Sequence, residues 1–302
     1  MLERVKPLIA GTQGAEVRTG IGPFAGLYAV PGGGGHLAAS ADGVGTKTKV
    51  AVAYGRHRGI GHDLVNHCLN DIATAGAMPL FFLDYFASGR LEAAVFEEVV
   101  SGLAEACGAA GCALLGGETA EMPGVYALGD YDLAGFVVGH VPEAFSREPP
   151  TAGDLLVGLP SSGLHTNGFS LVRRVFEDVS LDTVFTELGR PLGEELLEPH
   201  RSYLGELRRL PWKAAAHITG GGLVDNLPRV LPEGLAAEVD RSAWSVPPIF
   251  QLVMSHGRVD EDEMLSTFNM GLGMVLVTSD PVPGYPVVGG VVERRGPRVS
   301  FR

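Results

Sequence analysis

The residue types best suited to ligand binding and catalysis are concentrated in the run Asp42-Gly43-Val44-Gly45-Thr46-Lys47. An aspartate can ligate a metal ion, glycines expose backbone N–H groups, and a lysine can neutralise phosphate. A second carboxylate, Asp71, follows Asn70 on a predicted helix, where spacings of three and four residues bring both to one face with His67. The two segments predict a site for a divalent cation and a phosphorylated ligand. A surface turn and a solvated helix face are the alternatives.

A third acidic segment, residues 116–124, combines glycines with the carboxylates Glu118 and Glu121. It follows a predicted buried strand. Open α/β sheets commonly bind ligands at the carboxyl edge of their strands. The two carboxylates are therefore candidates for ligand binding, and a capped loop without a ligand is the alternative.

The second half of the chain contains two segments in which small polar residues and glycines precede a predicted helix. They are Ser161-Ser162-Gly163-Leu164-His165-Thr166-Asn167-Gly168 and His217-Ile218-Thr219-Gly220-Gly221-Gly222. Backbone N–H groups at the start of a helix attract anions, so these segments predict contacts to a substrate that carries phosphate. The alternative for the first segment is a helix cap by Asn167.

The elements that must position these residues alternate between strand and helix. In the first half we expect a hairpin of residues 24–30 and 36–41, helices 62–76 and 91–110, and strands 80–87, 112–115 and 132–140. In the second half we expect strands 154–159 and 274–277, and helices 167–179 and from 223 onward. The proline-rich segment 142–150 predicts a boundary between domains 1–143 and 144–302.

The overall composition limits the class of protein. The chain has 302 residues, of which 45% are hydrophobic, enough for two cores. Its net charge of −12, with no basic run, argues against nucleic-acid binding. The sequence contains neither a signal-peptide pattern nor about 20 consecutive apolar residues, so we expect no membrane span. Three cysteines without zinc-site spacing indicate reduced thiols and a cytoplasmic location.

Six segments in this order resemble the AIR synthetase family, the phosphoribosylformylglycinamidine cyclo-ligases. They are ADGVGTK (41–47), NDIATAGAMPLFFLDY (70–85), GGETAEMPG (116–124), SSGLHTNGFSLVR (161–173), HITGGGLVDNLPRVLP (217–232) and TFNMGLGM (267–274). The resemblance implies an α+β protein with two α/β domains. The N-terminal domain would form the interface of a homodimer, the C-terminal domain would pack beside it, and the active site would lie between the two domains.

The chemistry that the resemblance implies is ATP-dependent ring closure. ATP phosphorylates the amide oxygen of formylglycinamidine ribotide, an amidine nitrogen attacks the activated carbon, and phosphate leaves. The products are aminoimidazole ribotide, ADP and phosphate. This reaction requires positioning and charge neutralisation by Mg²⁺ more than a nucleophilic side chain.

The resemblance also implies roles for individual residues. The residues expected to hold Mg²⁺ against ATP are Asp42, Asp71 and Glu118. Those expected to bind or orient the nucleotide are Gly43, Gly45, Thr46, Lys47, Asn70 and Asn269. Those expected to bind the substrate are Ser161, Ser162, Gly163, Asn167, Gly220, Gly221 and Gly222. The candidates for catalysis are His165, His217 and Lys47.

Other interpretations remain open at this point. Thiamine-monophosphate kinases, in the same superfamily, typically have paired aspartates where Asp42-Gly43 stands. A non-catalytic nucleotide-binding or dimerisation protein would not need the candidate metal ligands. The resemblance further implies an N-terminal segment with a Ser-Tyr…Ala-Gly-Val-Asp pattern near the nucleotide, whereas the sequence given begins at about the helix that follows it.

Overall fold

A computed structural model describes residues 2–302, with side chains from residue 4 onward. The first half forms a five-stranded sheet of order β1-β2-β5-β3-β4. Its strands are β1 (Gly26–Ala29), β2 (His36–Gly43), β3 (Met78–Ser88), β4 (Ala113–Glu121) and β5 (Tyr131–Val141). Its helices are α1 (Leu2–Ala10), α2 (Lys47–Tyr54), α3 (Arg58–Thr74) and α4 (Ala93–Ala110). Only the β3–β4 pair is parallel among these strands.

The second half forms a six-stranded sheet of order β11-β8-β10-β6-β9-β7. Its strands are β6 (Leu155–Pro160), β7 (Ala214–His217), β8 (Leu235–Val239), β9 (Leu272–Thr278), β10 (Val287–Glu293) and β11 (Val299–Phe301). Its helices are α5 (Phe169–Val175), α6 (Leu192–Leu196), α7 (Leu204–Arg209), α8 (Gly222–Asn226), α9 (Pro248–Gly257) and α10 (Glu261–Thr267), with a 3₁₀ turn at Leu227–Val230. The predicted α+β class is confirmed. The domain limits 1–143 and 144–302 stay predictions, and residue 1 lies outside the described residues.

Helices α3 and α4 cover one face of the first sheet and cross each other closely. At the crossing, a Cβ atom on Gly61 would lie 2.3 Å from the carbonyl oxygen of Val99, and one on Gly102 would lie 2.0 Å from that of Arg58. Any larger side chain there would push the two helices apart. Glycine at both positions therefore sets the distance between α3 and α4.

The opposite face of the first sheet carries exposed apolar side chains. The strand register places Met78, Tyr85 and Phe136 on this face, and they are 43, 36 and 40% exposed. Phe82 and Phe86, on the other face, are buried under the helices. We call the first of these surfaces the outer sheet face, defined by Met78, Tyr85 and Phe136. An apolar surface of this kind is typical of a protein–protein interface.

The two halves share one of their hydrophobic cores. Side chains of α2 and α3, such as Val50 and Leu64, belong to the same buried cluster as Phe169 of α5 and Phe250 of α9. The first and second halves are therefore packed together rather than connected as independent bodies.

Several predicted elements differ from the observed ones. The segment 116–121, predicted as a loop, continues strand β4, because the parallel pairing with β3 extends through Glu121. Helix α2, which begins at Lys47, was not predicted. Helix α5 begins at Phe169 after Gly168 in a left-handed conformation. The alternative of a helix cap by Asn167 is wrong, since α5 has no side-chain cap within the described chain.

Candidate active site between the two halves

A polar strip on α3 faces the second half of the chain. Asp63, Asn66 and Asn70 share this strip because they are spaced by three and four residues. Asp63 accepts a hydrogen bond from the backbone N–H of His200 (2.7 Å), and Asn66 donates one to the carbonyl oxygen of His200 (2.7 Å). Asn70 forms two further hydrogen bonds, of 2.7 and 2.8 Å, with the backbone of residues 203 and 201. The strip therefore fixes segment 198–203, and His200 with it, against α3.

Lys47 belongs to the contact between α3 and segment 198–203, and it does not line an open phosphate site. Its side chain is fully buried, and its ammonium donates to Asp63 Oδ1 (2.9 Å) and to the carbonyl oxygen of Glu198 (2.8 Å). Burial lowers the pKa of Lys47 and raises that of Asp63, while each charge opposes the shift of its partner. The structure thus does not bring Lys47 to the predicted triphosphate contact, because α2 begins at this residue and directs its side chain inward.

A continuous hydrogen-bonded chain of side chains connects the two halves. It runs in order through Asp42, His67, Thr166, His200, His217 and Asp71. Its successive donor–acceptor distances are 2.9, 2.9, 3.4, 3.0 and 2.8 Å. Asp42 and Asp71, which were predicted to share one site, therefore form the two ends of one network.

The number of protons in this chain follows from its five hydrogen bonds. Each bond needs one hydrogen, but three neutral imidazoles and one threonine hydroxyl supply only four. With both carboxylates ionised, the chain must therefore hold one additional proton. This proton gives the network a positive charge that balances one of the two carboxylates.

The pKa shifts indicate where this proton resides. Burial alone would lower the pKa of His67, but the hydrogen bond and the charge of Asp42 outweigh it and raise that pKa. Burial lowers the pKa of His217 despite its bond to Asp71, and it lowers the pKa of His200 well below the usual value. His67 beside Asp42 is therefore the imidazolium, and the other two rings are neutral.

His165 lies next to the chain without being part of it. Its ring stacks on that of His200, with centroids 3.9 Å apart, and its Nε2 accepts a hydrogen bond from the backbone of Ser162 (3.2 Å). Its Nδ1 is buried and has no hydrogen-bond partner among the described residues. The φ of +60° at His165 is unusual for a residue with a side chain and indicates a constrained backbone. Burial holds the pKa of His165 well below its usual value, so the ring is neutral.

The predicted substrate loops are held mainly by their own hydrogen bonds. Ser161 donates to the carbonyl oxygen of Gly163 and to Asn269, and Ser162 donates to the carbonyl oxygen of Pro199. The buried amide of Asn269 also binds the backbone of Gly163 (3.0 Å). The predicted nucleotide contact of Asn269 is not evident, because this side chain connects two loops of the same half.

The Gly220-Gly221-Gly222 loop is organised by Asn226 and Arg229, which follow it in the chain. Asn226 Nδ2 donates to the carbonyl oxygens of Gly220 (3.2 Å) and Gly222 (2.8 Å). The guanidinium of Arg229 donates to Asn226 (3.1 Å) and lies 3.8 Å from the ring centroid of Phe24. Burial lowers the pKa of Arg229, and the charges of Asp71 and Asp42 oppose this shift. Arg229 is therefore a cation that interacts electrostatically with Asp42 and Asp71.

Glu118 is separated from the other two predicted metal ligands. The register connects Gly43 to Ala134, Ala134 to Tyr85, and Tyr85 to Glu118 across three strand pairs. At the usual strand spacing, the distance across the sheet from Gly43 to Glu118 is about 14 Å. Glu118 therefore does not lie beside Asp42 and Asp71 of the same chain, because β4 is an edge strand and Glu118 is exposed on it. The shared metal site of these three residues stays a prediction.

Several members of the site were not predicted from the sequence. His67 was placed on the correct face of its helix but was given no role. Asp63 and Thr166 lay within or beside predicted segments without being recognised. His200 lies in segment 198–203, which has neither a helical nor a strand pattern, so no local signal identifies it.

Within residues 2–302, none of the helices combines the length and the apolar character that crossing a bilayer requires.

The overall architecture is shared by solved structures of low sequence identity. A thiamine monophosphate kinase from Aquifex aeolicus has a TM-score of 0.67 at 15% identity, covering 99% of this chain and 94% of that chain. A structure titled AaThiL complexed with AMPPCP and TMP has a TM-score of 0.73 at 14% identity, covering 99% and 91%. HypE of E. coli, a hydrogenase maturation protein, has a TM-score of 0.61 at 22% identity, covering 89% and 82%. These likenesses define the fold.

The sequence comparisons define the family. Residues 24–141 match the N-terminal domain of AIR synthase related proteins, and residues 151–283 match their C-terminal domain. The chain therefore belongs to the AIR synthase related protein family, as the six motifs predicted. It is similar to phosphoribosylformylglycinamidine cyclo-ligases of Myxococcus xanthus (53% identity, 92% of this chain and 84% of the relative) and Geobacillus thermodenitrificans (48%, 97% and 88%).

Proposed function

We propose that this chain is an ATP-dependent ligase that closes the imidazole ring of formylglycinamidine ribotide in de novo purine biosynthesis. The products would be aminoimidazole ribotide, ADP and phosphate. The observation that carries the proposal is the buried network that connects Asp42 of the first half with Asp71 through residues of the second half. The names of relatives with 53 and 48% identity support the same activity.

The reaction requires that a poor leaving group become a good one. ATP transfers its terminal phosphoryl group to the formyl oxygen of the substrate. An amidine nitrogen then attacks the formyl carbon, loses a proton, and the C–O bond breaks as phosphate departs. The substrate must be held so that nitrogen and carbon are in contact, and most of the rate gain comes from this orientation.

Mg²⁺ would neutralise the charge that develops on the transferred phosphoryl group. Asp42 and Asp71 offer the carboxylate oxygens that Mg²⁺ prefers, and the side chain of Asp42 is 42% exposed and can be reached by a nucleotide. Both carboxylates fit this role. The backbone N–H groups of Gly43 and Gly45 and the side chains of Thr46 and Asn70 stay in the proposed nucleotide region.

The proton released by the amidine nitrogen needs an acceptor near the reaction. His217 lies within the hydrogen-bonded chain, so a proton taken at one end can shift along the chain toward the other carboxylate. His165 has a buried Nδ1 without a partner among the described residues, which suits a donor to a bound ligand. We propose that His217 moves a proton and that His165 orients the substrate.

The substrate phosphate would lie near the loops of the second half. Ser161, Ser162, Gly163, Asn167 and Gly220-Gly221-Gly222 stay candidates for these contacts. Arg229 is a better candidate than Lys47 for neutralising phosphate. It is exposed and keeps N–H groups beyond those that bind Asn226 and two backbone carbonyl oxygens, whereas the Lys47 ammonium is buried against Asp63 and Glu198.

We propose that the protein works as a homodimer through the outer sheet face. The apolar side chains of Met78, Tyr85 and Phe136 support this interface. Glu118, on the edge strand of the same sheet, would then approach the site of the partner subunit. This arrangement gives Glu118 a role in the metal site that it cannot have within one chain. An acidic protein with three buried free thiols also suits the cytoplasm, without nucleic-acid partners.

The test is product formation by purified protein supplied with ATP, Mg²⁺ and formylglycinamidine ribotide. We expect aminoimidazole ribotide, ADP and phosphate in equal amounts, and no phosphate release when the ribotide is omitted. ATP binding in calorimetry without turnover would favour the non-catalytic alternative. ADP formation with thiamine monophosphate instead of the ribotide would favour a kinase.

A further inference from the structure

We propose that His67, Asp71 and His217 form a binding site for a divalent transition-metal ion of the Zn²⁺ or Co²⁺ type. One ligand atom from each of the three side chains lies within 4.8 Å of the other two. The three side chains are 4, 6 and 0% exposed, so no rearrangement of surface loops is needed to assemble them. This site is distinct in its chemistry from an oxygen-only Mg²⁺ site and does not depend on the proposed ring closure.

The local structure explains why these three atoms converge. His67 and Asp71 are four residues apart on α3, which places their side chains next to each other on one face. His217 ends strand β7 of the second half and approaches the same face. The rings of His67 and His217 are nearly perpendicular (81°), with centroids 5.2 Å apart. The site is therefore formed only when the two halves are packed together.

The donor set selects the class of ion. Two imidazole nitrogens and one carboxylate oxygen suit Zn²⁺, Co²⁺ and related ions, whereas Mg²⁺ prefers oxygen ligands alone. Three protein ligands leave a coordination position for water or for a ligand, which is typical of reactive rather than purely structural metal sites. A bound ion would replace the additional proton of the network, which His67 would release. His217 Nδ1 would then bind the ion in place of its bond to Asp71 Oδ1 (2.8 Å), and the hydrogen of His217 would lie on Nε2 and be donated to His200.

Neighbouring side chains hold the ligands in place. His217 keeps a contact from its Nε2 to His200 (3.0 Å), and Asp71 Oδ2 accepts a hydrogen bond from Ser40 (2.9 Å). One ring nitrogen of His67 would bind the ion in place of its present partner, Asp42 or Thr166 (2.9 Å each), and the other nitrogen would keep its hydrogen bond. Such outer partners orient metal ligands and contribute to affinity.

The experiment is a titration of the full chain with Co²⁺, followed by its visible d–d absorption, which reports coordination independently of enzymatic turnover. We expect one Co²⁺ per chain. His67→Gln and His217→Gln should each weaken binding by about tenfold or more, judged from the sensitivity of metal sites to lost partners. His256→Gln, an exposed histidine outside the site, is the matched control and should bind Co²⁺ as the unchanged protein does. Circular dichroism confirms that each variant is folded.

Two further outcomes separate this site from the proposed function. Absence of a d–d band, or an unchanged band in both His67→Gln and His217→Gln, overturns the site. If Asp71 is shared with Mg²⁺, excess Mg²⁺ should weaken the binding of Co²⁺. Lack of this competition, with the variants behaving as expected, would leave the transition-metal site in place and would contradict the proposed role of Asp71 in binding Mg²⁺.

Discussion

Two regions that combine carboxylates with glycines occupy different environments in this protein. Asp42 and Asp71 lie at the ends of a buried network between the two halves, while Glu118 is exposed on an edge strand about 14 Å away. Both regions combine carboxylates with glycines. The difference arises from strand order, since Asp42 lies near the end of β2, whereas Glu118 lies on the edge strand β4, which β5 and β3 separate from β2. Acidic character thus indicates chemistry, but topology decides which carboxylates can act together.

The largest expected effect is that of changing Asp42, in the network between the two halves. Asp42→Asn removes a negative charge that binds His67 and, as proposed, Mg²⁺. We expect turnover to fall by about 10²–10³-fold or more, as when a group that stabilises transition-state charge is lost. Steady-state phosphate release measures this, with thermal unfolding as the control for folding. Near-normal turnover would remove Asp42 from the site.

The proposed role of the exposed Glu118 is tested by mixing two inactive variants. If Glu118 completes the site of the partner subunit, a dimer of one Asp42→Asn chain and one Glu118→Gln chain has one intact site. Random mixing should then restore roughly a quarter of the normal activity, because half of the dimers are mixed and each has one working site.

A matched control sharpens this complementation test. Phe136→Asp on the outer sheet face should prevent both dimer formation, seen by light scattering, and the recovery of activity. If the mixture stays inactive while mixed dimers form, Glu118 does not act across the interface.

A third prediction concerns the buried ion pair beside the network. Lys47→Met leaves Asp63 as an unpaired buried charge and should lower the free energy of unfolding by about 3–5 kcal/mol. The double variant Lys47→Met, Asp63→Asn removes both charges and keeps an acceptor for the backbone N–H of His200, so most of the stability should return. Denaturant unfolding measures both. If instead Lys47→Met is stable and only weakens ATP binding, Lys47 contacts phosphate as the sequence first suggested.

The smallest effect is a pH dependence of stability. The folded-state pKa values of His165 and His200 are lowered by burial, whereas the unfolded chain takes up protons near pH ~6.5. Stability contributed by the neutral rings is therefore complete above this value. It should fall with decreasing pH by about 1.4 kcal/mol per pH unit for each histidine. His165→Gln should reduce this slope, and an unchanged slope would contradict the assignment.

Much of the fold was predictable because apolar periodicity and turn residues act locally. The hairpin of β1 and β2, the helices α3 and α4, and strands β3 and β5 were all predicted near their observed positions. Strand β4 was predicted too short, since parallel pairing with β3 stabilises a glycine-rich stretch that has little strand propensity of its own.

The site was predictable in part for a related reason. Asp42 and Asp71 stand in recognisable local patterns. His200 does not, because its position depends on backbone hydrogen bonds to Asp63 and Asn66 far away in the sequence. The burial of Lys47 likewise follows from tertiary packing. Sequence patterns thus identified candidate ligands but not the network that connects them.

The most direct test of the proposed chemistry follows the formyl oxygen of the substrate. Formylglycinamidine ribotide labelled with ¹⁸O at this position should yield inorganic phosphate that carries the label, because phosphorylation and departure transfer that oxygen to phosphate. Mass spectrometry of the phosphate measures the transfer. Labelled phosphate formed together with aminoimidazole ribotide is the predicted result. Unlabelled phosphate would contradict activation of the substrate through its amide oxygen.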